Sequence, residues 1–270
     1  MSLNVYIGYD ASESVAFHVL SHSLLRRATG PISITPLVRD HLPYFTRKRG
    51  PLESTDFSFT RFLVPYLSGY EGFSLFMDCD MLAQVPIQDI WHDTVHDARI
   101  SVMGRKQIPV NTAVWVCKHD YVPKDQVKMS GAVQTAYARK NWSSMMLFDN
   151  AECRVLTPDY VNEATGLHLH RFEWLADDQI ESLPLEWNWL VGEYGPCVKP
   201  QLLHYTLGGP WLQNYQKGPY VQEWYAEYRD MTGQDFWPVQ AWGRPPVFHP
   251  TQPSESSHIH SISPRTKGSP

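Results

Sequence analysis

Asp78, Cys79 and Asp80 put two carboxylates one residue apart at the end of an apolar run, Phe73-Ser74-Leu75-Phe76-Met77. Such a run reads as a buried central strand, and side chains two apart on an extended chain share a face. Asp78 and Asp80 can therefore converge on one point. Carboxylates that close repel unless they share a proton or hold a cation between them. A hard divalent cation accepts oxygen ligands and leaves positions open for phosphate oxygens. The other reading is that one aspartate caps the next turn and its neighbour is solvated.

Other residues have types that can do chemistry. Tyr9-Asp10 follows an apolar strand, where Asp10 either caps the next helix or faces a ligand. Arg61 sits among apolar residues, and a cation there must pair, so it either bridges a core carboxylate or points at substrate. Asp177-Asp178-Gln179 can be no more than a helix cap. His204 follows Leu202-Leu203, a setting more common for a hydrogen-bonded core histidine than for a metal ligand. Gly208-Gly209 lets backbone approach a ligand closely.

These residues need elements to position them. Asn4 to Asp10 reads as a short strand, and Ser12 and Glu13 signal a helix start. Val15, Val19, Leu20, Leu24 and Leu25 then keep helical spacing up to Gly30-Pro31, and Ile32 to Val38 is a second strand. Strand, helix, strand implies parallel pairing, which puts Asp10 and the aspartate pair at one edge of a sheet. His41 to Glu53 is a loop whose Arg47, Lys48 and Arg49 are expected on the solvated surface, the other reading being a mobile flap near an anionic ligand. Ser54-Thr55-Asp56 opens a helix with Phe57, Phe62, Leu63 and Leu67 facing inward. Ile87 to Val95 reads as a helix, Arg99 to Met103 and Thr112 to Cys117 as strands, and Asn141 to Asp149 as a polar approach to an apolar strand. A short helix opens at Thr157-Pro158-Asp159, and Tyr220 to Met231 forms the last one. The expectation is one α/β domain over residues 1–242, a mixed and mostly parallel central sheet flanked by helices, then a flexible Pro/Ser/His-rich tail over 243–270.

Composition narrows the partners. The 270 residues are 43% hydrophobic and 13% aromatic, enough for a core without staples. A formal charge of -5 with no run of basic residues argues against a nucleic-acid partner. No stretch reaches the roughly 18 apolar residues of a membrane span, and the first residues lack a signal-peptide pattern, so a soluble cytoplasmic protein is expected. Cys79, Cys117, Cys153 and Cys197 have neither zinc nor C-x-x-C spacing and are expected reduced and mostly buried.

Taken in order over about residues 3 to 235, these short motifs resemble the GT-A glycosyltransferases. Within them the glycogenin and bacterial galactosyltransferase-like group, family 8, is the most similar. The resemblance implies a GT-A-like domain that moves a sugar from a nucleotide-sugar, with a UDP-sugar as the expected donor, to a carbohydrate or other hydroxylated acceptor with retention. By matching motif positions, Asp78, Asp80 and His204 would hold Mn2+, with Mg2+ as the alternative ion. Tyr9, Asp10, Arg61, Asp78, Gly208 and Gly209 would bind the donor, and Asp178 and Gln179 would be the catalytic pair beside the sugar. Gly208-Gly209-Pro210-Trp211 departs from the pattern by lacking the family's lysine. Two alternatives stand beside this reading. A haloacid dehalogenase-like phosphatase would open its fold with the Asp-x-Asp strand and carry Thr or Val where Leu82 stands. A catalytically silent sugar- or nucleotide-binding protein of the same fold would suit the ten tryptophans, although Trp187 and Trp189 are equally explained as core.

Overall fold

The computed structural model describes residues 3–50, 53–91, 111–120, 127–128, 132–133 and 138–236. The expected strand Arg99 to Met103, the helix beyond Trp91 and the tail over 243–270 lie outside these residues.

Strand β1 (Leu3–Gly8), helix α1 (Ser14–Arg27) and strand β2 (Ile32–Leu37) form the expected unit, with β1 and β2 parallel and Val5 opposite Ile34. The other strands are β3 (Phe73–Met77), β4 (Met81–Ala83), β5 (Val114–Cys117), β6 (Val127–Lys128), β7 (Ala132–Val133), β8 (Met145–Asp149), β9 (Ile180–Leu183), β10 (Trp189–Leu190) and β11 (Leu202–His204). Six of them make a central sheet in the order β2-β1-β3-β8-β5-β9. Only β8 runs against its neighbours; the remaining strands share one direction. The fold is therefore the expected mixed, mostly parallel sheet flanked by helices.

Sequence explains the order of burial. The middle strands β3, β5 and β8 are almost wholly buried and read as continuous apolar runs. The edge strand β2 alternates with polar residues and carries Pro36, which an edge tolerates because one side needs no N–H. A smaller sheet, β10-β11-β4, lies beyond β3 in the chain and is covered by a second core of Val19, Leu82, Leu203, Tyr205, Trp211 and Trp224. Trp187 belongs to the main core and Trp224 to the second one. Cys79, Cys117 and Cys153 are buried, Cys197 is partly so, and all four are free thiols. Among the described residues no helix is long and apolar enough to cross a membrane.

The stretch after Ser54 differs from the single helix expected. It forms turns, then a 3-10 segment Thr60–Leu63, then the four-residue helix Val64–Leu67. Pro65 is the physical reason: it has no N–H to donate and is accommodated only in a first turn, so the helix restarts there. Phe57 lies against the end of β1, where its ring leaves no room for a Cβ on Gly8.

Helix α2 (Val221–Thr232) docks on α1 through one buried acid. Glu227 takes hydrogen bonds from Arg26 at 2.8 Å and Arg27 at 2.7 Å, and lies 2.6 Å from His22 Nδ1. Burial raises the Glu227 carboxyl, but the bonds from Arg26, Arg27 and His22 outweigh it and leave it below its ordinary 4.5. A carboxyl depressed in the folded state contributes stability that is present above the unfolded value and lost as pH falls through the folded one. The denaturation midpoint is therefore expected to drop as pH is lowered below about 4.5, and Glu227→Gln to flatten that dependence. Glu227→Ala is expected to cost about 2–4 kcal/mol at neutral pH, less than a fully buried pair because Arg26 is exposed. Denaturant titrations across pH check both.

Candidate functional site

β3 carries its chain to the edge of the sheet at Met77, and the next residues are stapled by backbone bonds to two other elements. The Asp78 N–H donates to the Ser144 carbonyl at 2.9 Å, beside the start of β8, and the Tyr205 N–H donates to the Asp80 carbonyl at 2.9 Å. β4 then pairs antiparallel with β11, with Met81 opposite His204. That register brings a residue 124 positions after Asp80 next to it: His204 Nε2 lies 3.3 Å from Asp80 Oδ1. One ligand atom from each of Asp78, Asp80 and His204 falls within 4.8 Å of the others. His204 and Asp80 are buried, and Asp78 is the more open of the three.

The donor set fits a divalent ion. Two carboxylates and an imidazole leave half of an octahedral shell for other oxygens, and the imidazole suits a first-row transition ion better than Mg2+. Arg61 has a carboxylate partner. Its Nη1 lies 2.9 Å from Asp78 Oδ1 and donates to the Ser143 carbonyl at 2.8 Å, while Nε donates to the Phe57 carbonyl at 3.3 Å. The guanidinium also sits over the Phe76 and Phe57 rings, 4.9 and 5.4 Å from their centroids. A buried cation of this kind offsets part of the repulsion between the two aspartates.

Asp10 has the cap role. Its Oδ1 accepts from the Ser12 N–H at 2.9 Å and the Ser12 hydroxyl at 2.6 Å, and Oδ2 accepts from the Asp56 N–H at 3.0 Å, which ties the loop before Phe57 to the end of β1. Tyr9 is partly buried, edge-on to Phe17. The basic loop is largely anchored: Arg47 lies over the Phe59 ring at 3.8 Å and donates to the Val161 carbonyl, and Arg49 pairs with Asp56 at 2.6 Å.

Two pairs of expected site residues have other surroundings. Asp178 and Gln179 are not brought to this cluster. They immediately precede β9, a strand parallel to β5 in which Ile180 is level with Val114, and the Ala113 N–H donates to the Gln179 carbonyl at 2.9 Å. Val114 is level with Phe148, and Phe148 with Ser74 near the start of β3. Residues that precede such a strand sit at the opposite edge of the sheet from those that follow β3. Asp178 is exposed, and Gln179 closes a turn by accepting from the Ala176 N–H at 3.0 Å. Gly208 and Gly209 are the second pair. The protein's own rings approach both closely: a Cβ would meet Tyr215 at 2.6 Å on Gly208, which has φ +138°, and would run into the Trp211 ring on Gly209. The Gly208 N–H is already donated to the Tyr205 carbonyl at 2.8 Å.

Several residues around the cluster went unread in the sequence. His204 Nδ1 lies 2.8 Å from Asn188 Oδ1, Asn188 Nδ2 donates to Ser144 Oγ at 2.8 Å, and Ser144 Oγ donates to the Asn141 carbonyl at 2.7 Å. His119 Nδ1 lies 2.8 Å from the Tyr194 hydroxyl, and burial together with His204 lowers the ring to about 3. His170 Nδ1 lies 2.7 Å from Ser143 Oγ, and burial, then Arg61, Arg47 and Lys140, lowers it to about 3 as well. Both are neutral rings at physiological pH. The signal that could have pointed to Asn188 is its place between two tryptophans, a polar residue in a segment otherwise expected to be core.

No family model matches the chain. Its fold is shared with solved glycosyltransferases. It is similar to GlyE of Streptococcus pneumoniae TIGR4 with a TM-score of 0.51 and 13% identity, over 84% of this chain and 60% of that one. The values for the bifunctional glycosyltransferase WbbM are 0.50 and 13%, over 84% of this chain and 51% of that one. The galactosyltransferase LgtC, in complex with donor and acceptor sugar analogs, gives 0.50 and 9%, over 85% and 96%. This chain thus spans only about half to three-fifths of the WbbM and GlyE chains, and at these identities the likeness is one of fold. In sequence, it is 40% identical over 236 residues to Protein CDI of Arabidopsis thaliana, an alignment covering 84% of this chain and 86% of that protein. At that identity and coverage, the chain belongs to the family of the Arabidopsis protein CDI.

Proposed function

We propose that this chain is a metal-dependent glycosyltransferase of the family 8 type. It would carry a sugar from a nucleotide-sugar, with a UDP-sugar as the expected donor, to a hydroxyl of a carbohydrate or other acceptor with retention, in the cytoplasm, where its free thiols stay reduced. The observation that carries the reading is the convergence of Asp78, Asp80 and His204 within 4.8 Å at the end of β3, in a fold shared with glycosyltransferases. These three side chains would hold Mn2+. When bound, such an ion supplies Lewis-acid stabilisation of the charge that grows on a departing pyrophosphate. Arg61 keeps Asp78 oriented and its charge partly balanced, and the Tyr9-Asp10 turn, at the same edge of the sheet, flanks the nucleotide side.

Calorimetry and thermal shift with nucleoside diphosphates and a panel of nucleotide-sugars, with Mn2+ or with EDTA, test the reading. A donor present at 100 times its dissociation constant is expected to add about 2.7 kcal/mol of stability, and only with the metal. Slow Mn2+-dependent release of nucleoside diphosphate from the same donor is the expected activity. Equal nucleotide affinity in EDTA would sink the shared site. Release of inorganic phosphate from phosphomonoesters, without action on nucleotide-sugars, would put the phosphatase reading in its place, and binding without turnover would favour the silent one.

A further inference from the structure

We propose that Asn188, backed by Ser144, is a positioning residue that holds His204 as its Nδ1–H tautomer and so presents the Nε2 lone pair beside Asp80 to a divalent cation. The inference rests on the metal site of the proposed function and needs nothing of the sugar chemistry.

The argument is one of hydrogen-bond direction. The Asn141 carbonyl can only accept, so the single hydroxyl proton of Ser144, 2.7 Å away, is committed to it. Ser144 Oγ is then left as an acceptor, and the Asn188 group facing it at 2.8 Å must be the NH2. That sets the amide the one way round in which Oδ1 faces His204 Nδ1 at 2.8 Å. An amide oxygen can only accept, so Nδ1 carries the proton. In the neutral ring Nε2 is then an unprotonated lone pair, 3.3 Å from Asp80 Oδ1. A flipped Asn188 would set its oxygen against a hydroxyl oxygen whose proton is already given away. With Ser144, Asn188 and His204 all buried, water is not at hand to relieve that contact.

The backbone holds this chain of contacts in place. Asn141 has φ +62°, a conformation asparagine tolerates, and this starts the turn whose Ser144 hydroxyl folds back onto its carbonyl. Asn188 ends the 3-10 turn Leu185–Asn188, just before β10, and β10 pairs with β11 so that Leu190 is level with His204. Ser144 serves two ligands together: its carbonyl takes the Asp78 N–H at 2.9 Å, and its hydroxyl orients Asn188, hence His204.

The test uses metal-free protein, Mn2+ alone as ligand, and no nucleotide or sugar. Two-bond 1H–15N correlation of histidine-labelled protein in EDTA, at about pH 8.5 and well above an ordinary imidazole pKa, reads the tautomer; the His204 signals are assigned by their loss in His204→Gln. The parent is expected to show Nδ1–H. By calorimetry, Asn188→Ala and Ser144→Ala are expected to weaken Mn2+ binding about 10- to 100-fold. Asn188→Asp still offers the ring an acceptor, and its carboxylate, a stronger acceptor than an amide oxygen, can draw the Ser144 hydroxyl proton away from the Asn141 carbonyl, so Mn2+ affinity is expected to stay within roughly threefold of the parent. An Nε2–H or doubly protonated His204 in the parent would overturn the inference. So would parental Mn2+ affinity in Asn188→Ala, or an Asn188→Asp loss as large as that of Asn188→Ala. Should the alanine variant fail to fold, the parent spectrum and Asn188→Asp still decide. A failed transferase assay leaves these outcomes standing, so the two readings fail separately.

Discussion

Asp80→Asn is expected to remove the metal site while leaving the fold in place. Asp80 is the buried member of the carboxylate pair and the one facing His204, at 3.3 Å. The amide keeps the shape but loses the charge that a divalent cation needs from a ligand. Outer contacts to ligands cost 10- to 100-fold when removed, so loss of the ligand itself is expected to weaken Mn2+ by at least about 100-fold. Metal-dependent nucleotide binding should fall with it, and turnover by on the order of 10³. Asp178→Asn is the control. With its side chain exposed at the other edge of the sheet, it is expected to keep parental Mn2+ affinity, nucleotide affinity and turnover. Calorimetry and single-turnover assays on both variants check this. An Asp178→Asn that loses turnover as Asp80→Asn does would mean that the exposed acid reaches the reacting centre after all, against its place in the sheet.

Arg61→Met has the largest expected effect on stability. The guanidinium is buried and contacts Asp78, the Ser143 and Phe57 carbonyls and two aromatic faces. Its loss leaves Asp78 beside Asp80 without this counter-charge, and breaking one side of a buried pair costs about 3–5 kcal/mol. The deficit is expected in full in EDTA and to shrink when Mn2+ is added, because a cation at the aspartates replaces part of the missing charge. Arg61→Lys keeps the charge but not the fork that reaches both Asp78 and the Phe57 carbonyl, and should fall between parent and Arg61→Met. Urea denaturation with and without Mn2+ measures both. The same deficit in the two conditions would show that Arg61 serves the core and not the charge balance of the site.

Much of this protein was legible in its sequence where the information is local. The apolar run ending in Asp78 and the strand–helix–strand opening both follow from periodicity and from residues that start or interrupt an element. A cap is one of two local options for Asp10, and its bonds to Ser12 give it that role. The place of Asp178-Gln179 is not legible in this way, because motif order along a chain does not say at which edge of a sheet a residue falls. That depends on whether it precedes or follows a strand of given direction, and β9 has only four residues, with Glu181 and Ser182 between its apolar ends.

By itself, then, the sequence determined which segments could be buried and which residues stood at their ends, since strand and helix periodicity act between near neighbours. Tertiary structure alone decided which of those residues meet. Arg61 finds Asp78 across the interval between two elements, His204 reaches Asp80 through the β4–β11 register, and Asn188 finds Ser144 from 44 residues away. The physical reason is that strand pairing and the direction of buried hydrogen bonds are set between distant segments, where a one-residue change of register would turn His204 to the other face and dissolve the cluster.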